Sequence, residues 1–563
     1  MAKSLQAKVY AQLEKAPNRR AIGFVNARGE ISWRTWEQFY TRAAGYAAQL
    51  KDNGLKQGDV CILVLPSKEF CATALTATML IGAVPLLIAP VHLPGAHSNL
   101  MQVLNRTIGK TKARIVICHE SMANLQNELK NRRRNTCFLF VKDDISITNK
   151  KGLPIITSAE DDVAAMQLTS GTTGFPRVCV WKQKNILAAL EGMASKMKLC
   201  ADDICFNWTP LYHDMGLVNN FLLCLTSGVP LVMLSPQDFI KRPALWLRGL
   251  SETGSTITWS PNFGFAVAAQ RVEDDQIADI RLDGVRAFWN AAERIHLDTM
   301  NAFHKRFAPF GVRFEALKAN YGCAENVGGA TFSDPDGSFV YEHVDPLILQ
   351  KRRIALPVEY VEGEAQAVSV VGVGQPVSGI RIKILSRTGK PLPDGHIGEI
   401  ALETPSRMIG YLGQSNETHR ALCGKLLRTG DLGYLRGKEL FWVGRLRERI
   451  TIRARKLDPS DFESILLKIP SLRPGCFVVF GVDDPELGTQ RVVIATEARD
   501  SSSRTHREIF NKIRDQVFLH LGVDVSDIVL VRQGTLTKTS SGKRRHRHFR
   551  QLYINGKIQH LQL

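Results

Sequence analysis

Residues 168–177 read Leu168-Thr-Ser-Gly-Thr-Thr-Gly-Phe-Pro-Arg177, and the reading of the whole chain turns on this decapeptide. An apolar approach, Ala164 to Leu168, has the length of a buried strand and runs into four hydroxyls, two spaced glycines and a terminal cation. Glycine lets backbone N–H groups turn toward an anion with no Cβ in the way, and Ser/Thr hydroxyls add donors for phosphate oxygens. A flexible linker has no reason to combine these features. No Lys-Ser or Lys-Thr follows the final glycine, so the segment is not a Walker A loop.

Outward from this loop, the runs Val60 to Val64, Arg114 to Cys118 and Leu231 to Leu234 alternate with helical patterns such as Trp33 to Leu50, which predicts α/β layers. After about residue 368 the apolar runs close up, at Arg381 to Leu385, Ile397 to Glu403 and Leu440 to Val443, with Gly, Pro and Asp turns between them. This predicts an antiparallel β subdomain over about 368–445. Beyond Gly444-Arg445-Leu446 come expected strands at Cys476 to Val482 and Val492 to Ala498 and a helix from about Arg504 to Leu521, a small α+β domain over 446–563. A chain of 563 residues exceeds one core, so the remainder, 1–445, is expected to form a large amino-terminal domain. Gly372-Val-Gly-Gln-Pro-Val-Ser-Gly379 has its last glycine two places late for a dinucleotide fingerprint and reads as a turn between strands.

The 11 cysteines are odd in number and lack any CxxC pair, which fits reduced thiols in a cytoplasmic protein and gives no zinc spacing. The amino terminus has no apolar signal core. The uncharged run Phe70 to Pro90 is long enough to span a bilayer, but its threonines, Gly82 and Pro85 predict a buried helix followed by a strand, and no membrane span is expected. A net charge of +19 favours anionic partners in general. The clusters Arg132-Arg133-Arg134 and Lys543-Arg544-Arg545-His546-Arg547 lack interleaved aromatics, so no nucleic-acid binding is expected.

Six further motifs follow in order: Asn290-Ala-Ala-Glu293, Tyr321-Gly-Cys-Ala-Glu325, Gly398-Glu-Ile400, Arg428-Thr-Gly-Asp431, Gly444-Arg445 and Thr539-Ser-Ser-Gly-Lys543. Together with the loop they resemble the adenylate-forming superfamily of acyl-CoA synthetases, luciferases and adenylation domains, over essentially the whole chain. The resemblance implies an α/β fold with two sheet lobes and a β subdomain in the large domain, and a mobile carboxy-terminal lid. It implies ATP and Mg²⁺ as cofactors. Thr169, Ser170, Gly171, Thr172, Thr173, Gly174 and Arg177 would hold phosphates; Asn290, Ala291, Ala292, Glu293 and Gly322 would also bind ATP, and Tyr321 would stack on adenine. Asp431 would take the ribose hydroxyls and Arg445 would contact the nucleotide, with Arg447 as the hinge. Glu325, with Thr173 a possible second ligand, would hold the metal. Lys543 would be the main catalytic cation, neutralising the attacking carboxylate and the α-phosphate without any proton transfer.

Within the superfamily, Trp208-Thr-Pro-Leu-Tyr-His-Asp-Met-Gly-Leu217 and Ser260-Pro-Asn-Phe-Gly264 look like fatty acyl-AMP ligase segments, with His213 as the catalytic histidine. Amino-acid-activating relatives place an aspartate at that histidine, so an α-ammonium group would lack its counter-ion here. Asp334 to about Ala367, including Phe339-Val-Tyr-Glu-His-Val-Asp345, looks like the insertion that separates these ligases from acyl-CoA synthetases. The implied function is activation of a carboxylic acid, a fatty acid, to acyl-AMP, then transfer to the phosphopantetheine thiol of a separate acyl carrier protein. No hydrolase elbow accompanies Tyr212-His213-Asp214. Arg177 stands for the usual lysine, Val178 for a glycine, Gln183 for a frequent histidine and Ala454 for a glycine beside the thiol channel. The substitutions at 177, 178 and 454 keep open a catalytically silent nucleotide-binding relative, and the runner-up enzyme is an acyl-CoA ligase of the same fold.

Overall fold

The computed structural model describes residues 4–90, 97–125, 136–141, 158–169, 176–359, 367–446, 448, 450–452, 455–484, 489–498, 503–538 and 544–558. Ser170, Gly171, Thr172, Thr173, Gly174, Arg447, Ala454 and Lys543 lie outside the described residues, as do Arg132 to Arg134.

The strand expected at Val60–Val64 is found there, and all five of its residues are buried. It runs parallel to Val84–Leu87 on one side and Ile115–His119 on the other, with Ile62 opposite both Leu86 and Val116. Burial on both faces explains why the run is continuously apolar rather than alternating. The uncharged stretch after it forms a buried helix, Glu69–Leu80, and then the strand Val84–Leu87, the break being set by Gly82 at φ +72°. Inside that helix Thr73 and Thr78 donate their hydroxyls back to the carbonyls of Glu69 and Ala74. No polar side-chain atom of those two residues is therefore left unpaired. Among the described residues no helix is long and apolar enough to cross a membrane.

This strand set grows into a seven-stranded sheet ordered Gly410–Tyr411, Val178–Lys182, Val163–Leu168, Val84–Leu87, Val60–Val64, Ile115–His119 and Cys137–Val141. A nine-stranded sheet lies beside it, its parallel centre formed by Leu317–Cys323, Ala287–Ala291, Ile257–Pro261, Cys205–Asn207 and Leu231–Leu234. A five-stranded antiparallel sheet follows, built from Arg381–Leu385, Gly398–Glu403, Leu422–Cys423, Leu426–Arg436 and Glu439–Arg445. The carboxy-terminal part is a three-stranded sheet, Leu472–Asp484, Thr489–Ala498 and Val525–Val531, with helices Pro459–Leu466, Ser503–Leu521 and His546–Ile554.

One apolar cluster joins the lobes of the large domain; its last buried member is Leu440, and Trp442 packs against it. Two others hold the carboxy-terminal part and contain no residue before Ile450. Polar contacts that cross between them include Arg294 to Asp461 at 2.9 Å and to Ser460 at 2.8 Å, Lys468 to Asp298 at 2.9 Å, and the Arg445 N–H to Asp458 Oδ2 at 3.2 Å.

Candidate functional site

The strand Val163–Leu168 leads into the hydroxyl-rich loop and Val178–Lys182 leads out, antiparallel, with Leu168 opposite Val178. Thr169 and Arg177 close the neck: the Thr169 N–H donates to the Arg177 carbonyl at 2.8 Å, and the Arg177 N–H donates to Thr169 Oγ1 at 3.3 Å. The Arg177 guanidinium lies over the Tyr411 ring, 4.9 Å from its centroid, and 3.4 Å from Glu417. Both neck residues line a cavity of about 380 Å³.

The opposite wall is a hairpin of the larger sheet. Leu317–Cys323 pairs with Gly328–Phe332 around a turn in which Val327 adopts φ +54°. Gly322 has to be glycine: a Cβ there would fall 2.3 Å from the Gly328 carbonyl oxygen. The Trp181 indole donates to the Ala324 carbonyl at 2.8 Å, pinning the hairpin to the other sheet. Glu325 lines the cavity, and its Oε1 accepts the Tyr411 hydroxyl at 2.6 Å. Burial, with the Glu325 charge adding to it, pushes the Tyr411 phenol well above its ordinary pKa.

The antiparallel sheet supplies the third wall. Gly398-Glu-Ile400 and Arg428-Thr-Gly-Asp431 lock together there: Glu399 accepts from Arg428 Nε at 2.9 Å and from the Gly430 N–H at 3.2 Å, and Thr429 Oγ1 donates to the Ile400 carbonyl. That holds Asp431, which accepts the Tyr321 hydroxyl at 2.8 Å on Oδ2 and sits 3.3 Å from Arg445 Nε on Oδ1. Tyr321 is buried, and burial followed by the Asp431 charge drives its pKa far up. The ring is therefore packed behind the wall, whereas its neighbours Asn320 and Gly322 line the cavity.

Of Asn290-Ala-Ala-Glu293, Ala291 and Ala292 line the cavity, the latter at φ +74°. Asn290 is fully buried and donates to Asn262 Oδ1 at 3.2 Å. Glu293 turns the other way and accepts the Phe263 N–H at 2.7 Å. Burial raises the Glu293 carboxyl, opposed by Arg544 of the carboxy-terminal part. His213 lines the cavity with Asp214, whose Oδ1 is 2.8 Å from His213 Nδ1, at the start of a π-helix, Met215–Leu222. A widened helical turn of this kind often sits at a functional site. Arg445 also lines the cavity.

Sequence reasoning missed Tyr411, Glu417, Asn219 and Asn320, all on the cavity wall. Tyr411 could have been suspected from Gly410-Tyr411 only by knowing that this two-residue strand pairs with Cys179 and Val180. Among the described residues no cluster of three or more His, Cys, Asp or Glu is placed to hold a metal.

Three comparisons bear on this geometry. The family model described as AMP-binding enzyme matches residues 9–412. The medium-chain-fatty-acid–[acyl-carrier-protein] ligase JamA of Moorena producens is 29% identical over 562 residues, covering 96% of this chain and 93% of that one. The long-chain-fatty-acid–AMP ligase FadD32 of Mycobacterium marinum is 32% identical over 447 residues, 70% of this chain and 69% of that one. A fatty acyl-adenylate ligase solved in a study of the E. coli and L. pneumophila enzymes superposes with a TM-score of 0.89 at 24% identity, covering 98% of both chains. The fold, with a large amino-terminal and a small carboxy-terminal domain, is therefore that of the adenylate-forming enzymes. A family match across most of the chain, on walls that bring its acid, arginine and glycine motifs to one cavity, means that this protein belongs to the AMP-binding enzyme family.

Proposed function

We propose that the protein is an ATP-dependent fatty acyl-AMP ligase. It joins a fatty acid carboxylate to AMP with release of pyrophosphate, then passes the acyl group to the phosphopantetheine thiol of a separate acyl carrier protein. One observation carries this reading: Thr169, Arg177, His213, Glu325, Asp431 and Arg445, drawn from three sheets and their connections, share one cavity. The similarity to JamA and FadD32, named for a fatty-acid–carrier and a fatty-acid–AMP ligase, supports the choice of acid and acceptor.

Thr169, Arg177 and the loop 170–175 bind the phosphates, and Asp431 accepts the ribose hydroxyls with its carboxylate fixed by Tyr321 and Arg445. Ala291, Ala292 and Gly322 form the wall against the base, while Asn290 and Glu293 support it from behind. Glu325 suits a magnesium ion: the Tyr411 hydroxyl takes only Oε1, and no described residue donates to Oε2. When bound, the ion would supply charge neutralisation on the phosphates. His213 orients the acid's carboxylate, already ionised near neutral pH. Lys543, carried by the small domain and swung about a hinge at Arg447 past a boundary at 445/446, stabilises the oxygens as the new bond forms. The separate apolar cores on either side of that boundary support independent motion. The inserted helix Pro346–Lys351 packs against the small-domain strand Arg455–Leu457, which supports carrier protein rather than CoA as acceptor. All eleven cysteines are free thiols, which supports the cytoplasm as its site of action.

The test is incubation with ATP, Mg²⁺ and a panel of fatty acids, read as acyl-AMP by mass and as pyrophosphate exchange, with and without CoA or a phosphopantetheinylated carrier. Acyl-AMP formation that disappears in Lys543→Ala is expected. Abundant acyl-CoA would assign CoA as acceptor, and tight ATP binding with no exchange on any acid would leave a silent relative.

A further inference from the structure

We propose that Asn219 makes the cavity selective for acids whose acyl chain carries an oxygen acceptor, a hydroxyl or a carbonyl, over unsubstituted chains of the same length. This rests on the acid-activating reading above. Asn219 belongs to the π-helix, is 3% exposed, and lines the cavity together with Met215 and Gly328. Its Oδ1 accepts the Gly329 N–H at 3.3 Å, which fixes the end of the amide that faces the hairpin. Gly328 makes the approach possible: at φ +90° it has no side chain, and a Cβ there would lie 2.6 Å from Oδ1. Nδ2, at the other end of the amide, meets no acceptor among the described residues and is not among the polar atoms sealed off from solvent.

The adjacent amide does something different. Asn220 Nδ2 donates to the Met215 carbonyl at 2.9 Å and so closes the widened turn from within. Gln167, also on the cavity wall, spends its donors on the Leu168 and Tyr212 carbonyls. Asn219 thus keeps an N–H available on the wall that also carries His213. A saturated chain seated against it removes its water and returns no hydrogen bond, whereas an oxygen on the chain accepts from it. A site built around a polar partner discriminates against the analogue that lacks it far more strongly than an apolar pocket discriminates by size.

The experiment is pyrophosphate exchange by the full chain on matched acids, hexanoate and octanoate against their hydroxy- and oxo-substituted counterparts. The expected result is a kcat/KM for at least one oxygenated acid about tenfold or more above its parent. Asn219→Leu, close in size and without a donor, is expected to bring the ratio near one by improving the parent acid. Should that variant fail to fold, Asn219→Asp retains the acceptor for Gly329 and removes the donor, and is expected to lose the preference too. Equal kcat/KM across the matched pairs in the unaltered protein, with exchange present, overturns this inference alone. Absence of exchange on every acid overturns it together with the reading beneath it.

Discussion

Tyr411→Phe removes one oxygen from the cavity wall and leaves the rest of the residue in place. The lost hydroxyl donates to Glu325 Oε1 at 2.6 Å. The retained ring still packs beneath the Arg177 guanidinium, whose distance to the ring centroid is 4.9 Å. A hydrogen bond to a charged acceptor contributes about 1.5–3 kcal/mol, so a carboxylate that must be held in one orientation during the reaction loses about 10- to 150-fold in kcat/KM. If Glu325 holds the ion as proposed, the Mg²⁺ concentration giving half-maximal exchange should rise as well, because the Glu325 carboxylate is then no longer oriented in advance. Acid-dependent pyrophosphate exchange at saturating ATP, titrated with Mg²⁺, measures both quantities, and a thermal melt separates them from a folding defect. Glu325→Gln supplies the control. If Tyr411 acts through Glu325, the double variant should be no worse than Glu325→Gln, a non-additivity expected of contacting groups. A Tyr411→Phe protein with unchanged kcat/KM and unchanged Mg²⁺ dependence refutes the reasoning.

Three other outcomes are expected. Gly322→Ala forces a methyl group against the Gly328 carbonyl and to 2.8 Å from Gly329 Cα, all of it backbone, and should cost about 1–3 kcal/mol with loss of exchange; an unchanged melting temperature would contradict the close approach. Burial, with Arg294 adding to it, pushes the His296 imidazole down to about 3 from 6.5, so the unfolded chain takes up a proton that the folded protein refuses. Stability should therefore fall as pH drops below 6.5, by up to about 1.4 kcal/mol per pH unit, and urea midpoints at pH 7 and pH 5 should converge in His296→Phe. Gly444→Ala places a Cβ 1.9 Å from Asp458 Oδ2, the atom that accepts the Arg445 N–H. Moving Asp458 also disturbs its cap on helix Pro459–Leu466, worth about 0.5–2 kcal/mol, and protease cutting at the domain joint should accelerate.

The elements most legible in the sequence were those whose burial is two-sided. Val60–Val64 and Leu231–Leu234 end where the apolar runs end, because these inner strands have parallel neighbours along their edges and are buried on both faces. The helix expected from Trp33 begins instead at Trp36, since Ile31–Thr35 is recruited as an edge strand beside Arg20–Val25. A local signal was present: Thr35 and Gln38 form a reciprocal capping box that marks the true start. At the site, Glu325 and Asp431 stand in short motifs whose glycines and turns announce them. Tyr411 and Asn219 do not, because their partners lie 86 and 110 residues away, and a hydrogen bond across that distance leaves no pattern along the chain. Orientation likewise separates Asn290 and Glu293 from the two alanines between them, since only the alanines line the cavity, a difference no spacing rule reports.

The segregated interiors carry a consequence for synthesis. Since the apolar cluster of the large domain takes no side chain later than Trp442, that domain can collapse on the ribosome while the last hundred or so residues are still being made. A nascent chain halted there would already have most of the cavity wall but not Arg445, Leu446 and Glu448, which also line it, so the cavity is completed only as the domain joint is made.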